Sequence, residues 1–461
     1  MRLTPILLLP ILAVLSPGLT GCNLYTNYSR PEGLPVETLY SDSTTAAADT
    51  IAPLGNIPWQ DLFADPSLQQ LIAEGLESNT DLQVAMLRID QSEASLKAAK
   101  LAYYPSVMFS PGASVSSVGG SKASGSYELP LTASWEVDLF GKLRNAKKEQ
   151  QALLLQQKAY AGAVRSQLIA SVANAYYTLL MLDKQIEISD GTIAIWREQV
   201  RTMELQLKVG DVRENALSQA KANLQGLLAT HNTLLLQQRE TENSLCTLLG
   251  STYHHIDRTS LDDQHIPANI SAGVPLQLLS ARPDVVQAEM ALAASFYAVN
   301  RSRAAFYPSL TLGGTAGWTD SFGQAVSNPG GWLLSALGSL TQPIFQRGQL
   351  KANLQIAEDE QQIALLNYRQ SLLNAGEEVN NALLGIESHG KNLEFHNSQC
   401  LALEQTVKSN ELLFRTNDAT YLELLSSRLD LLNARLSTVA DRVNRLQAVV
   451  TLYRALGGGS Q

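Results

Sequence analysis

The stretch SYELPLTASWEVDLFGK, residues 126–142, decides the fold because two structural patterns meet in it. Up to position 139 its even-numbered residues are polar or proline, and its odd-numbered residues are apolar: Tyr127, Leu129, Leu131, Ala133, Trp135, Val137 and Leu139. This alternation is typical of a β-strand with one apolar and one polar face. From Gly141 to Val209 the chain then follows a helical pattern of about 69 residues, which as a helix would be roughly 100 Å long.

The helical pattern is that of a coiled coil. From Leu168 to Leu207, apolar or small residues follow one another at alternating steps of four and three, an average period of 3.5. The same seam recurs later in the chain as Leu365, Leu372, Val379, Ile386, Leu393, Cys400, Val407 and Phe414. A returning helix shows it again between Leu422 and Tyr453. The sequence therefore predicts very long helices that pack in pairs.

The chain also repeats itself. At a constant offset of 203 residues, Asp81, Ala85, Tyr104, Pro105 and Ser106 recur as Asp284, Ala288, Tyr307, Pro308 and Ser309. Farther along, DLFGKLRNA (138–146) corresponds to PIFQRGQLKA (343–352). The first helix of each copy is predicted to begin at a proline, Pro66 in one and Pro283 in the other, because proline suits the first helical position.

These repeats divide the chain into five segments. They are a signal peptide (1–21), an N-terminal lipidated extended segment (22–64), repeat 1 (65–275), repeat 2 (276–457) and a C-terminal tail (458–461). Repeat 1 is predicted to contain strands at about 104–118 and 126–139 and long helices at about 141–209 and 214–250. Repeat 2 is predicted to contain strands at about 306–319 and 332–345 and long helices at about 348–416 and 421–456. The fold class is therefore mostly α with a small β part, in two tandem repeats that each join a β-hairpin to a long coiled-coil helical hairpin.

The N-terminus has the layout of an export signal. Arg2 precedes an apolar run from Ile6 to Leu15, and small residues lead to Cys22. The sequence LTGC, residues 19–22, resembles the lipobox of bacterial lipoproteins, which implies cleavage before Cys22 and attachment of lipid to it. An ordinary signal peptide with an incidental cysteine is the alternative.

The strands point to a membrane. A net charge of −9 argues against nucleic acid as a partner. No segment after the signal has eighteen consecutive apolar residues, so we expect no transmembrane helix. A closed β-barrel is the other structure that crosses a bilayer, and four strands are too few to close one. The smallest such barrels have eight strands, so several chains must each contribute four to a barrel in contact with outer-membrane lipid, and three chains would supply twelve.

The strand pattern also predicts which side chains face lipid. Apolar side chains are favoured on the outside of such a barrel. The lipid-facing candidates are Tyr127, Leu129, Leu131 and Trp135 in repeat 1, and Leu310, Leu312 and Trp318 in repeat 2.

Several motifs, taken in order, resemble one known family. They are the lipobox, W-x-x-L-F-x-D-P-x-L (59–68), the doubled helix ending in Tyr-Pro-Ser, WEVDLFGKLR (135–144), ARPDVVQAE (281–289), QPIFQRG (342–348) and LYRALGGG (452–459). Together they resemble the outer-membrane factor family, the TolC-like efflux channels, in its lipoprotein branch. The resemblance implies a homotrimer with a twelve-stranded outer-membrane barrel and a periplasmic α-helical barrel. It also implies a periplasmic adaptor (membrane fusion protein) and an inner-membrane pump as partners.

The resemblance places the channel entrance at the end of the second helical hairpin, within residues 415–436. It assigns Glu423 to one acidic position, whereas Ser426 stands where a second acid commonly occurs. Helical spacing puts Asp430 on the same face. The remaining gate candidates are Asp418, as a substitute acid, and Arg415 and Arg428, as closing partners. The alternative is an ordinary solvated helix face.

No residues suggest catalysis, so we expect neither an enzyme nor a cofactor. His254, His255 and His265 share a loop, and His389 and His396 lie seven residues apart on a helix, but neither group has a metal-binding spacing. Cys246 and Cys400 are interpreted as small apolar fillers, although a disulfide between them stays open. The predicted function is a passive trimeric exit duct of a tripartite efflux system. The alternative is a pore-less periplasmic coiled-coil adaptor or structural lipoprotein.

Overall fold

The computed structural model describes residues 25–33, 54–117, 119–120, 123–265, 282–321, 331–416 and 420–460, without the side chains of Ser321, Arg415 and Leu422. Cys22 and Asp418, two of the candidate residues, lie outside the described residues. The helices are α1 (Trp59–Leu62), α2 (Pro66–Ser78), α3 (Thr80–Leu101), α4 (Lys142–Val209), α5 (Glu214–Leu248), α6 (Pro283–Ala304), α7 (Gln349–Arg415) and α8 (Tyr421–Ala455). The strands are β1 (Ser106–Phe109), β2 (Gly112–Ser116), β3 (Ser124–Val137), β4 (Ser309–Ser321) and β5 (Gly331–Thr341).

The strands form one antiparallel sheet. It belongs to a compact unit made of Met1–Gly33, Arg88–Lys158 and Gln287–Arg369. Its order is β1-β3-β4-β5. Strand β2, which follows β1 in sequence, also pairs with β3. The sheet therefore has two open edges, one formed by β1 and β2 and the other by β5.

The single strand predicted at 104–118 is in fact two strands. Phe109 lies opposite Leu131 and Gly112 lies opposite Glu128, so the register is the same on both sides of the break. The interruption falls at Pro111 and opposite Pro130, and neither proline has an N–H to donate. Prolines therefore remove ladder hydrogen bonds without shifting the strand.

The first predicted helix is also divided. It begins as expected at Pro66, with the Asp65 carboxylate accepting hydrogen bonds from the backbone N–H groups of Ser67 and Leu68. It stops at Asn79, which has extended backbone angles. The Asn79 side chain accepts a hydrogen bond from the N–H of Leu82 and donates one to the carbonyl of Leu248. Asn79 thus ends one helix and caps the next.

The N-cap at Asp65 also anchors the loop after α5. Tyr176 Oη donates to the Asp65 carboxylate at 2.7 Å, and Gln264 Nε2 donates at the same distance. Burial alone would raise the pKa of Asp65, but hydrogen bonds from Thr259, Tyr176 and Gln264 outweigh it and hold the pKa below its ordinary value. Burial, followed by the bond to Asp65, raises the pKa of Tyr176 to about 12.

The coiled-coil seams form the core of a second compact unit, made of Leu34–Leu87, Ala159–Val286 and Gln370–Gln461. Most of the predicted seam residues are buried, among them Leu168, Val172, Leu179, Leu182, Ile193, Trp196, Met203, Leu372, Val379, Leu425, Leu432, Val443, Leu446 and Tyr453. Fully burying one such side chain stabilises the fold by about 1.5–3 kcal/mol. The seam prediction is confirmed.

The repeat is visible in the element bounds. The helices that precede the strands, α3 and α6, are offset by 203 residues. From the second strand of each repeat onward the offset is 207 residues. For example, α4 begins at Lys142 and α7 begins at Gln349. The residues just before them, Gly141 and Gly348, both have a positive φ, 76° and 81°, which favours glycine. Among the described residues, no helix is long and apolar enough to cross a membrane.

Candidate functional site

The register of the sheet gathers the predicted lipid-facing residues on one face. Leu129 lies opposite Trp318, and Trp135 lies opposite Leu312. Tyr127, Leu131 and Leu310 are on the same face, because side chains on alternate residues of a strand project to the same side. β5 extends this face with Trp332, Leu334 and Leu340, and the first edge extends it with Val107, Phe109 and Val115.

The opposite face of the sheet is polar. It carries Glu128, Thr132, Ser134, Thr311, Thr315, Thr319, Ser335 and Ser339, together with glycines and a few apolar residues. One chain thus presents an apolar surface on one side of the sheet and a hydrophilic surface on the other. On the apolar side, Trp332 and Leu334 at the β5 edge are 82% and 83% exposed. Large apolar side chains exposed in this way indicate a surface that another apolar phase covers.

Three of the entrance candidates, Glu423, Arg428 and Asp430, lie in the first turns of α8. Ile193, Trp196 and Met203 of α4 pack with Leu217 of α5 and with Tyr421 of α8 in one apolar cluster. The two helical hairpins therefore pack side by side near their turns. This cluster fixes the start of α8, where three exposed residues with helical spacing, Glu423, Ser426 and Asp430, share a face.

Glu423 has a local partner that the sequence analysis overlooked. Its carboxylate accepts hydrogen bonds from the backbone N–H of Thr420 at 2.8 Å and from Thr420 Oγ1 at 3.0 Å. Thr420 Oγ1 accepts in turn from the N–H of Glu423, which completes a capping box. The backbone and side-chain hydrogen bonds from Thr420 lower the pKa of Glu423. The T-x-x-E spacing at 420–423 was readable in the sequence and could have revealed this role.

Arg428 bridges neighbouring helices. Its Nη2 lies 2.6 Å from Glu411 Oε1 on α7, and its Nη1 donates to Gln199 Oε1 on α4 at 3.3 Å. Arg428 therefore links three helices, and it pairs with Glu411 rather than with Glu423 of its own chain. Gln199 and Glu411 had no signal in the sequence, because their role depends on how the two hairpins pack.

The histidines and cysteines have ordinary partners. His389 Nδ1 and His396 Nδ1 lie 3.1 Å and 2.7 Å from the two carboxylate oxygens of Asp441. Cys246 is buried and Cys400 is half-buried, and both are free thiols. In the part of the chain that the structure describes, no group of three or more histidine, cysteine or acidic residues could hold a metal ion.

The chain has one sheet with an apolar face, and the sheet is joined to long paired helices that occur in two tandem copies. These features are typical of a protein that works at a membrane. Residues 71–251 and 274–458 match the sequence model of the family described as outer membrane efflux protein, and they cover most of the chain. The chain therefore belongs to the outer membrane efflux protein family. This confirms the resemblance, the fold class of tandem repeats with a small β part, the outer-membrane location and the role in efflux. It decides against a pore-less adaptor, since the family is one of outer-membrane efflux channels.

Individual relatives match over nearly their whole length. The chain is 29% identical to the cation efflux system protein CusC of Escherichia coli O157:H7, covering 100% of both chains. It is 29% identical to the toluene efflux pump outer membrane protein TtgC of Pseudomonas putida, covering 97% of this chain and 95% of the relative. It is 27% identical to the probable outer membrane lipoprotein SilC of Salmonella typhimurium, covering 96% of each.

Solved structures match equally well. The open state of the MtrE outer membrane channel of Neisseria gonorrhoeae has a TM-score of 0.85 and 26% identity, over 95% of this chain and 99% of that chain. A structure of CusC has a TM-score of 0.83 and 26% identity, over 94% of this chain and 99% of that chain.

Proposed function

We propose that three copies of this chain form a passive exit duct for small molecules, with a twelve-stranded barrel in the outer membrane and a helical tunnel in the periplasm. The observation that carries the proposal is the sheet itself, which has an apolar face and two open edges. Unpaired backbone groups at an edge cost several kcal/mol each in hydrocarbon, so both edges must find partner strands. Copies that join edge to edge satisfy both edges and turn every polar face toward a common lumen.

The internal repeat predicts how the edges would pair. Within one chain, Ala133 of β3 lies opposite Gly314 of β4. By the offsets of 207 and 203 residues, Ala133 corresponds to Leu340 and Gly314 corresponds to Pro111. If the contact between copies repeats the contact within one chain, Leu340 faces Pro111 of the next copy, and Ala336 faces Val115. This register keeps the apolar faces of the two strands on the same side.

Disulfide cross-linking tests the trimer and its register together. In a chain with Cys246→Ser and Cys400→Ser, we expect Ala336→Cys combined with Val115→Cys to give covalent trimers on a non-reducing gel. The matched control, Ala336→Cys with Ala113→Cys, displaces the pair by two residues on the same face and should cross-link much less. Trimers that cross-link only in the control would overturn the register, whereas a monomer in light scattering would overturn the duct.

The lipid anchor on Cys22 fits the position of the neighbouring segment. The Tyr25 ring lies beside Gly141, within 3.6 Å of where a Cβ on that glycine would be, at the junction of β3 and α4. The segment is held there by the backbone N–H of Tyr28, which donates to Tyr297 Oη, and by an ion pair of 2.6 Å between Arg30 and Glu289. Cys22 is three residues from Tyr25, a distance of at most about 11 Å. A lipid on Cys22 would thus reach the bilayer that the strands cross.

Glu423 is our candidate for the charged ring at the entrance, with Asp430, Asp418, Arg415 and Arg428 as further gate residues. Three exposed carboxylates brought together on a threefold axis favour cations. Arg428 supports the proposal because it ties α8 to α7 and α4 next to this face.

A variant must separate the capping role of Glu423 from the effect of its charge on cation preference. Glutamine at this position preserves a capping box, so Glu423→Gln should leave the helix start intact and remove only the charge. We expect the cation preference of the channel in planar bilayers to fall toward equal cation and anion permeability. Glu387→Gln, which removes an exposed carboxylate far along α7, should leave the preference unchanged. If Glu423→Gln also leaves it unchanged, Glu423 is a capping residue only.

We further propose that a periplasmic adaptor and an inner-membrane pump complete the assembly. The roles named for relatives at the same identity range from a cation efflux system to a toluene efflux pump. A duct with a generic polar lining would serve such different cargoes, with selection made by the pump.

A further inference from the structure

The residues that adjoin one end of the strands are strongly basic. The start of β1, the end of β3, the start of β4 and the end of β5 all lie at this end of the sheet. The eleven residues next to each of them form four segments, 95–105, 138–148, 298–308 and 342–352, which we call the basic collar. The collar contains ten lysines and arginines and one aspartate, a charge of +9 in a chain whose total is −9.

The positive band is narrow. The next eleven residues along each of the four helices, at 84–94, 149–159, 287–297 and 353–363, carry a combined charge of −5. By contrast, the sequence between β2 and β3 (117–123) and between β4 and β5 (322–330) contains a single lysine and no arginine. At most seven residues of each collar segment are helical, and seven helical residues span about 11 Å, so the collar occupies a narrow layer next to the strands.

Only part of this charge is neutralised within the chain. Three collar residues have carboxylate partners, in the pairs Lys142–Glu136, Arg301–Glu149 and Arg303–Glu358. Seven others make no ion pair with a described residue: Lys97, Lys100, Arg144, Lys147, Lys148, Arg347 and Lys351. Like charges gathered without counter-charges repel one another, so an external anion would stabilise the cluster.

Aromatic side chains share the layer with these charges. Lys147 Nζ lies 5.8 Å from the centre of the Tyr103 ring, and Trp135 Nε1 donates to the Tyr103 carbonyl at 2.8 Å. The rings of Phe140 and Tyr307 stack with centroids 5.0 Å apart. Tyrosine and tryptophan with a polar tip are typical of the boundary between hydrocarbon and headgroups.

We propose that the basic collar binds the phosphate groups of anionic phospholipids in the leaflet nearest the helices. The inference rests on the proposed barrel, which places the collar at headgroup depth. The phosphates would supply the missing counter-charges, and the attraction acts within a Debye length of about 8 Å at physiological salt. The collar would also fix the depth and orientation of the barrel, because the sequence that links β2 to β3 and β4 to β5 has only one basic residue.

The composition of the lipids that surround the trimer tests this proposal. Full-length protein is reconstituted in vesicles of equal phosphatidylglycerol and phosphatidylcholine, extracted with its nearest lipids into polymer nanodiscs, and the lipid ratio is measured by mass spectrometry. We expect phosphatidylglycerol to be enriched about twofold or more over the vesicle ratio. Replacing Arg144, Lys147, Arg347 and Lys351 by glutamine should abolish the enrichment while the trimer still forms.

A matched variant controls for net charge. Arg197, Arg201, Lys208 and Lys408 are exposed and lie outside the collar, so replacing these four by glutamine removes the same charge. Phosphatidylglycerol enrichment that persists in this variant supports lipid binding by the collar. Enrichment that is lost in both variants contradicts it. Wild-type trimers without enrichment would overturn the collar and leave the duct intact. Failure of the wild-type protein to insert into vesicles would overturn both.

Discussion

Replacing Arg258 by alanine is expected to lower the free energy of unfolding by about 3 kcal/mol, because it deprives a buried carboxylate of its closest cation. Arg258 lies in the loop after α5 and is 8% exposed in its side chain. Its guanidinium contacts Glu242 on α5 at 2.8 Å and Asp183 on α4 through Nε and Nη2. It therefore fastens the loop to both helices of the first hairpin.

Glu242 is the residue that makes the loss of Arg258 costly. Its side chain is 5% exposed and, among the described residues, would keep Tyr253 Oη, His255 Nδ1 and the more distant Arg239 as partners. The double variant Arg258→Ala with Glu242→Gln removes the buried negative charge and should recover part of the loss.

An exposed ion pair of similar length provides the control. Arg435 and Glu404 are 2.7 Å apart, but their side chains are 47% and 45% exposed. Arg435→Ala should cost no more than about 1 kcal/mol. The measurement is thermal unfolding of the detergent-solubilised protein, followed by circular dichroism. Equal losses in Arg258→Ala and Arg435→Ala would contradict the role given to burial.

Gly317→Ala is expected to impair assembly of the sheet. A Cβ at this position would lie 2.2 Å from the carbonyl oxygen of Leu129 and 2.9 Å from Cα of Pro130 on the paired strand. These atoms belong to the backbone, so neighbouring strands must move apart to admit a methyl group. Overpacking of this kind costs about 1–3 kcal/mol per chain, and a trimer would incur it three times.

Gly313→Ala is the matched control, on the same strand and the same face. A Cβ on Gly313 would be 3.7 Å from its nearest neighbour, the carbonyl oxygen of Ala133, which is an ordinary contact. We expect Gly317→Ala to reduce the amount of trimer recovered from outer membranes severalfold and Gly313→Ala to leave it near the wild-type amount. Normal recovery of Gly317→Ala would show that the strands are not packed as described.

The sequence predicted the features that follow from periodicity. Alternation along 126–139 located a two-faced strand, and steps of three and four located seams whose side chains are in fact buried, as at Val172, Leu179 and Val379. Both patterns are local, because a side chain's position along a strand or helix determines which face it occupies. The repeat added the order of the elements, since two similar segments fold alike.

Features that depend on one backbone group or on tertiary packing were missed. Pro111 interrupts the edge strand, and Asn79 divides a helix whose apolar pattern continues through it. Arg428 contacts Glu411 and Gln199, which belong to two other helices, so no spacing in the sequence reveals these contacts. The entrance is harder still to predict, because its ring of carboxylates would be made of residues from three chains.

Ion current across a planar bilayer that contains the purified protein is the most direct test of the central claim, that copies of the chain pool their strands around a hollow centre. We predict stepwise conductance from particles whose polypeptide mass in detergent is that of three chains. A stable monomer that inserts without conducting would contradict the account.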